Sequence, residues 1–232
     1  MTKTKRKVKW LLVVAVIICL AAGAAAYFNA IPESLWDQME RYPETSEFVL
    51  WYPIKKNVDF SMDISQELKE GEIPLFLQWD ERWGYKSYGG NFLAVNACGP
   101  TCLSMVVCGL TGNAAYNPYE VAKYSEQMGY YVPGVGTSWE LMTCGAENLG
   151  LDSETGEVSC EYLTQNLEEG RVLICSMWPG DFTDTGHFIV LTGMDTEGNI
   201  LVNDPNSDVN SKKSWSPEIL LPQIRAVWSY SY

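Results

Sequence analysis

The chain has 232 residues, of which 47% are hydrophobic and 19% charged, with a formal net charge of −13. That composition excludes a disordered chain and fits one domain with a sizeable core plus an appendage. Five basic residues precede Trp10, so residues 10–232 carry −18, a surface that repels phosphate backbones and argues against nucleic acid as a partner.

Those five residues, Lys3, Lys5, Arg6, Lys7 and Lys9, lead into an uncharged apolar run from Trp10 to Ala26, extended by Tyr27 and Phe28. At about 1.5 Å per residue the run is marginally long enough to cross a thin bilayer. The basic flank predicts the N-terminus inside and residues 29–232 outside, a single-pass anchor at the cell membrane. A cleaved signal peptide is the alternative, because Ala24, Ala25 and Ala26 supply small residues for cleavage and would release the domain. Cys19 is a poor lipoprotein site, since Ile18 precedes it.

Pro32 opens a segment with Leu35, Trp36, Met39 and Tyr42 at helical spacing, and Pro43 opens another, Glu44 to Tyr52, closed by Pro53. Both read as short amphipathic helices, too apolar for a plain linker and expected to pack on the main domain. Residues 54–72 read as a polar loop, and the main module begins near Ile73. The expected organisation is therefore anchor or signal 1–28, helical lead-in and linker 29–72, and one domain over 73–232.

Within that domain, Cys98 to Leu110 reads as a helix with Leu103, Val106, Val107 and Leu110 buried and Gly112 just past its end. Asn117-Pro118-Tyr119-Glu120 is a helix start running to Gly129. Thr137-Ser138-Trp139-Glu140 is a capping box opening a helix to Gly150, and Cys160 to Gly170 is a further helix. The pattern then changes to short β-rich runs at Val172–Met177, His187–Met194 and Ile200–Asn203, with a hairpin turn at Asp195–Asn199 and a closing strand at Ala226–Tyr232. Helices first and antiparallel strands later predict an α+β fold.

Of seven cysteines, Cys19 lies in the apolar run. Cys102, Cys108, Cys144 and Cys175 fall in apolar patterns and read as small buried hydrophobes. No Cys-x-x-Cys pair exists, and Cys98 with Cys102 and one remote histidine is a poor zinc site, so no metal and no cofactor is expected.

The chemistry centres on Cys98. A helix N-terminus and an adjacent imidazolium both favour thiolate, the attacking form, and Cys98 stands where both could act. Gly99 allows close backbone approach to a substrate, and Pro100 suits the first turn. The base must be His187, the single histidine of the chain, in an otherwise apolar strand with Gly186 leaving room above its ring. Asp204, one hairpin later, would hold the imidazole; Asn203 could serve too, but adjacent strand residues face opposite ways. For the oxyanion, the Cys98 backbone N–H is one donor and the Gln78 side chain the expected second, with Asn96 as local rival. Trp79 and Trp83 read as packing residues, and the loop Trp178 to Thr183 as a wall of the cleft.

Gln78-Trp79-Asp80, Cys98-Gly99-Pro100-Thr101, Gly186-His187-Phe188-Ile189-Val190-Leu191 and Asn203-Asp204-Pro205 together resemble the papain-like cysteine peptidases related to the bacteriocin-processing (double-glycine leader) peptidases. The chain looks most like their stand-alone extracytoplasmic relatives, over residues 73–232. The resemblance implies a papain-like α+β fold with Cys98 as nucleophile, His187 as base, Asp204 as orienting acid and Gln78 as oxyanion donor. It implies an extracytoplasmic peptidase acting on a peptide or protein through a thiol acyl-enzyme. No nucleotide-binding motif or multi-span region accompanies it, unlike the transporter-fused leader-processing members. A cell-wall peptidoglycan amidase or endopeptidase, and a catalytically silent binding module, are the alternatives.

Overall fold

Apolar runs in the C-terminal third assemble into one antiparallel sheet, and the helices before it supply one of its two covers. The computed structural model describes residues 3–232. Met1 and Thr2 lie outside the described residues, as do the side chains of residues 3–6 and hence the Lys3, Lys5 and Arg6 portion of the basic flank. The chain divides into two compact units, residues 1–58 and 59–232.

In the first unit a helix covers Lys3–Asn29. Its stretch Lys7–Asn29 contains an 18-residue window with a mean hydropathy of 2.6 and is long and apolar enough to cross a membrane. Helices Glu33–Arg41 and Ser46–Lys55 follow. Pro53 does not close the second of these, as the sequence predicts, but lies inside its last turn. A proline there removes one ladder bond near an end that stops two residues later, so the helix tolerates it.

The second unit is built on helix Cys98–Thr111, with Gly99 through Cys108 buried. A helix apolar all round must be covered on all sides. Helix Pro118–Gln127 packs on it, and so does the sheet strand that begins at His187. Gly112 ends it in the left-handed conformation, φ 69°, with its N–H on the Cys108 carbonyl. Asn117 caps the next helix through the N–H groups of Tyr119 and Glu120. Ile64 and Leu68, from the stretch that reads as a polar loop, join the same core.

The sheet has six strands, here β1 (Asp152–Gly156), β2 (Val172–Met177), β3 (His187–Met194), β4 (Ile200–Asn203), β5 (Ser214–Trp215) and β6 (Ile224–Ser231). All neighbours are antiparallel, in the order β1-β6-β2-β3-β4-β5. Phe188, Val190, Ile174, Trp228 and Tyr230 face the Cys98 helix, whereas Ile189, Leu191, Leu173, Cys175 and Val227 form a second core with Leu163 of helix Cys160–Glu168. Burial on both faces explains why β2 and β3 read as unbroken apolar runs.

The stretch from Ser138 to Gly156 departs from the sequence reading. The helix expected from Ser138 to Gly150 is split into a 3-10 turn, Trp139–Met142, and a short helix, Cys144–Asn148. Leu141, Met142 and Ala146 turn inward there, and Cys144 is exposed rather than buried. Strand β1 was not legible: Asp-Ser-Glu-Thr-Gly has no apolar alternation, because it is a sheet edge.

Candidate active site

Cys98 is the first residue of its helix and is half-buried. The close approach that Gly99 permits is to Thr137, not to open cleft: a Cβ at Gly99 would lie 2.8 Å from Thr137 Cγ2. Thr137 ends a small hairpin in which Tyr131 pairs with Thr137. Behind it the buried Tyr88 hydroxyl contacts Ser125 Oγ at 2.9 Å and Thr137 Oγ1 at 3.1 Å. The start of the helix is thus braced by packing and by a short chain of hydroxyls.

His187 opens β3 opposite Met177 and is buried. Its Nε2 lies 2.7 Å from Asp204 Oδ1, and Cys98 is near enough to act on the ring's charge. With Nε2 engaged, Nδ1 is the nitrogen left for the thiol. Burial by itself would lower the imidazole's pKa. The Asp204 charge and hydrogen bond, with Cys98, overcome that and raise it to about 10.

Asp204 is fully buried and held from several directions. Its Oδ1 also accepts the Asn206 N–H at 2.9 Å, its Oδ2 accepts Asn210 Nδ2 at 3.1 Å, and its own N–H donates to Ser211 Oγ at 2.8 Å. Asn210 and Ser211 belong to the short helix Asp208–Ser211, capped by Ser207. Sequence reading missed these supports. The available signal was Ser207 three residues before Asn210, a side-chain cap signature inside what reads as a turn. Asn203 turns away and donates to the carbonyls of Ile73 and Pro74, both at 3.1 Å.

Gln78 is fully buried. Its backbone N–H donates to Pro205 O at 2.8 Å and its Nε2 to Ala94 O at 2.6 Å, while its Oε1 has no partner. Trp79 Nε1 donates to Asn206 O at 2.9 Å, so residues 78–79 are stitched to the loop that carries Asp204. Gln78 therefore touches both the Asp204 loop and the turn leading to Cys98, with one amide hydrogen uncommitted. The rival Asn96 uses its amide on Tyr88 O at 3.3 Å and Tyr131 Oη at 3.4 Å. In the loop Trp178 to Thr183, Phe182 and Thr183 are buried, and Phe182 packs on Trp215 with centroids 4.5 Å apart. No group of His, Cys, Asp or Glu suited to a metal ion occurs among the described residues.

Residues 70–231 match the model of the Peptidase_C39 like family. The chain belongs to that family. Comparison with curated proteins gave no match. Among solved structures it is similar to the peptidase domain of Streptococcus ComA, a bi-functional ABC transporter involved in a quorum-sensing pathway. That similarity is 17% identity at a TM-score of 0.39, covering 57% of this chain and 91% of the other. The protein is a cysteine peptidase with an α+β, papain-like fold.

The other thiols of this peptidase differ sharply from Cys98 in their surroundings. Burial pushes Cys102 well above the usual thiol range, aided by the nearby Cys98 and Asp204 charges. Burial likewise raises Cys108, to about 12, and Cys175 further. Cys144 and Cys160 are exposed, and every cysteine is free.

Proposed function

We propose that the peptidase acts through Cys98 as nucleophile, His187 as proton carrier and Asp204 as the acid that orients it. The observation that carries this reading is the buried imidazole held to Asp204 at 2.7 Å, with Cys98 near enough to add to its raised pKa. The Cys98 thiolate attacks the scissile carbonyl carbon, and the carbonyl electron pair moves onto oxygen. The Cys98 backbone N–H and the free amide hydrogen of Gln78 hold that oxyanion. Collapse breaks the C–N bond as His187 gives its proton to the leaving amine, leaving a thioester. His187 then takes a proton from water, whose oxygen attacks the thioester. The thiolate departs and the acid product leaves. Asp204 stays ionised throughout and fixes the tautomer.

The substrate is a peptide or protein. The domain works outside the cytoplasm, held at the membrane by residues 3–29. The apolar stretch Lys7–Asn29 and the basic residues before Trp10 support this placement. Mass spectrometry of the intact chain after reaction with a peptide-derived acylating inhibitor tests the chemistry. The adduct is expected on Cys98. Adducts spread over Cys144 and Cys160, with Cys98 unmodified, would remove the assignment.

A further inference from the structure

The three arginines of residues 59–232 have different company. Arg82 is paired with Glu67 and Asp80, and Arg171 bonds Ser229 and Ser231. Arg225 is exposed and, among the described residues, has no carboxylate partner, in a domain rich in carboxylates. Its guanidinium carbon instead lies 4.6 Å from the Trp178 ring centroid and 5.0 Å from that of Trp139. Both residues are nonetheless exposed, Trp178 at 48% and Trp139 at 42%.

The backbone puts Arg225 there. Ile224 pairs with Met177 and Ala226 with Ser176, so Arg225 is the extra residue of a β-bulge in β6. Bulges re-aim a side chain out of the ladder and concentrate beside active sites. Met177, facing Ile224 on one side, faces His187 on the other. Trp139 continues the cluster inward, through Trp228 at 5.4 Å to Phe188 at 6.3 Å, next to His187. Phe188 and Trp228 lie on the sheet face covered by the Cys98 helix. Arg225 thus stands two strands from His187, about 10 Å at ordinary strand spacing, on the side away from Asp204. An extended peptide covers that distance in about three residues.

A guanidinium bound to π faces presents its N–H groups in its own plane, a preset fork for a carboxylate. We infer that Arg225, set by its bulge against Trp139 and Trp178, is a specificity-determining residue that receives a carboxylate of the peptide substrate up to three residues from the scissile bond. The inference rests on the peptidase reading of Cys98 and His187.

The test uses the intact chain and end-capped fluorogenic peptides with Glu or Gln scanned through three positions on either side of the cleaved bond. One Glu position is expected to raise kcat/KM about tenfold over its Gln partner, chiefly through KM. Arg225→Gln brings that ratio toward one, and Arg225→Glu turns the preference toward Lys at the same position. A second arm compares free with amidated C-termini; a preference confined to the free ends identifies the terminal carboxylate as the group received. Equal rates for Glu, Gln, free and amidated peptides on the wild-type chain would overturn the inference and leave the peptidase reading intact. So would an Arg225→Gln chain in which both peptides slow by the same factor, the sign of a merely structural stack. Failure to cleave any peptide would overturn the peptidase reading and this inference with it.

Discussion

Asn203 and Asp204 are neighbours in the chain, yet their side chains serve opposite ends of one joint. Asn203 Nδ2 clasps the carbonyls of Ile73 and Pro74, while the Asp204 carboxylate receives His187 Nε2. Strand alternation separates them. Asn203→Ala should therefore cost stability, about 1–2 kcal/mol for two hydrogen bonds, and leave the rate constant of folded enzyme nearly unchanged. Asp204→Ala should cut kcat by about 10²-fold, the low end of what a positioned general base contributes, because it misorients the base without removing it. Denaturant melts and initial rates on the same preparations separate the two, and a larger kcat loss in Asn203→Ala would reverse the assignment.

In the proposed mechanism His187 moves the proton, so it should matter more than Asp204. His187→Ala is expected to lower kcat/KM by about 10³–10⁴-fold. Adding it to Cys98→Ala should cost little further, because groups acting as a unit are not additive. Unchanged turnover by folded His187→Ala would dismiss the mechanism.

The same pair ties stability to pH. His187 is raised from its ordinary 6.5 to about 10 in the folded chain, after burial pulls down and Asp204 and Cys98 pull up. A raised imidazole stabilises the fold in full below pH about 6.5, and that contribution is lost as pH climbs through about 10. Urea unfolding from pH 6 to pH 10 should show the wild type weakening while Asp204→Asn changes less. Parallel losses in the two proteins would contradict the pairing.

Competitive alkylation should label Cys98 first. Cys102, Cys108 and Cys175 are buried with raised thiol pKa values, so Cys144 and Cys160 provide the exposed references. If either exposed cysteine outpaces Cys98, the nucleophile lies elsewhere.

Protease shaving of intact cells should remove residues 29–232 and leave the anchor behind. A domain degraded only after lysis would invert the topology. A domain free in the medium and beginning near Tyr27 would select signal cleavage over anchoring.

Much of this was legible because local physics agreed with tertiary structure. Asn117, Pro118 and Gly112 punctuate helices as their chemistry requires. The strands β2, β3 and β4 start and stop where their apolar runs do. What escaped was decided at a distance. Polar β1 is a strand because β6 lies beside it. Cys144 is exposed because the chain breaks at Thr143. In the proposed site, Cys98, His187 and Asp204 stand out by residue type and order. Asn210, Ser211 and the Gln78–Pro205 link carry no such mark, since any amide, hydroxyl or backbone group could fill those places.

The placement of β6 also bears on how the molecule comes into being. It follows every other strand in the chain, yet it sits between β1 and β2, inside the sheet. During synthesis β1 and β2 wait with unfilled edges, and Trp228 and Tyr230 are missing from the core. The lobe that carries His187 closes only when residues 224–231 have emerged. A nascent chain is thus kept without a finished cleft until residues 224–231 have been made, and loss of those eight residues would leave an open, aggregation-prone edge.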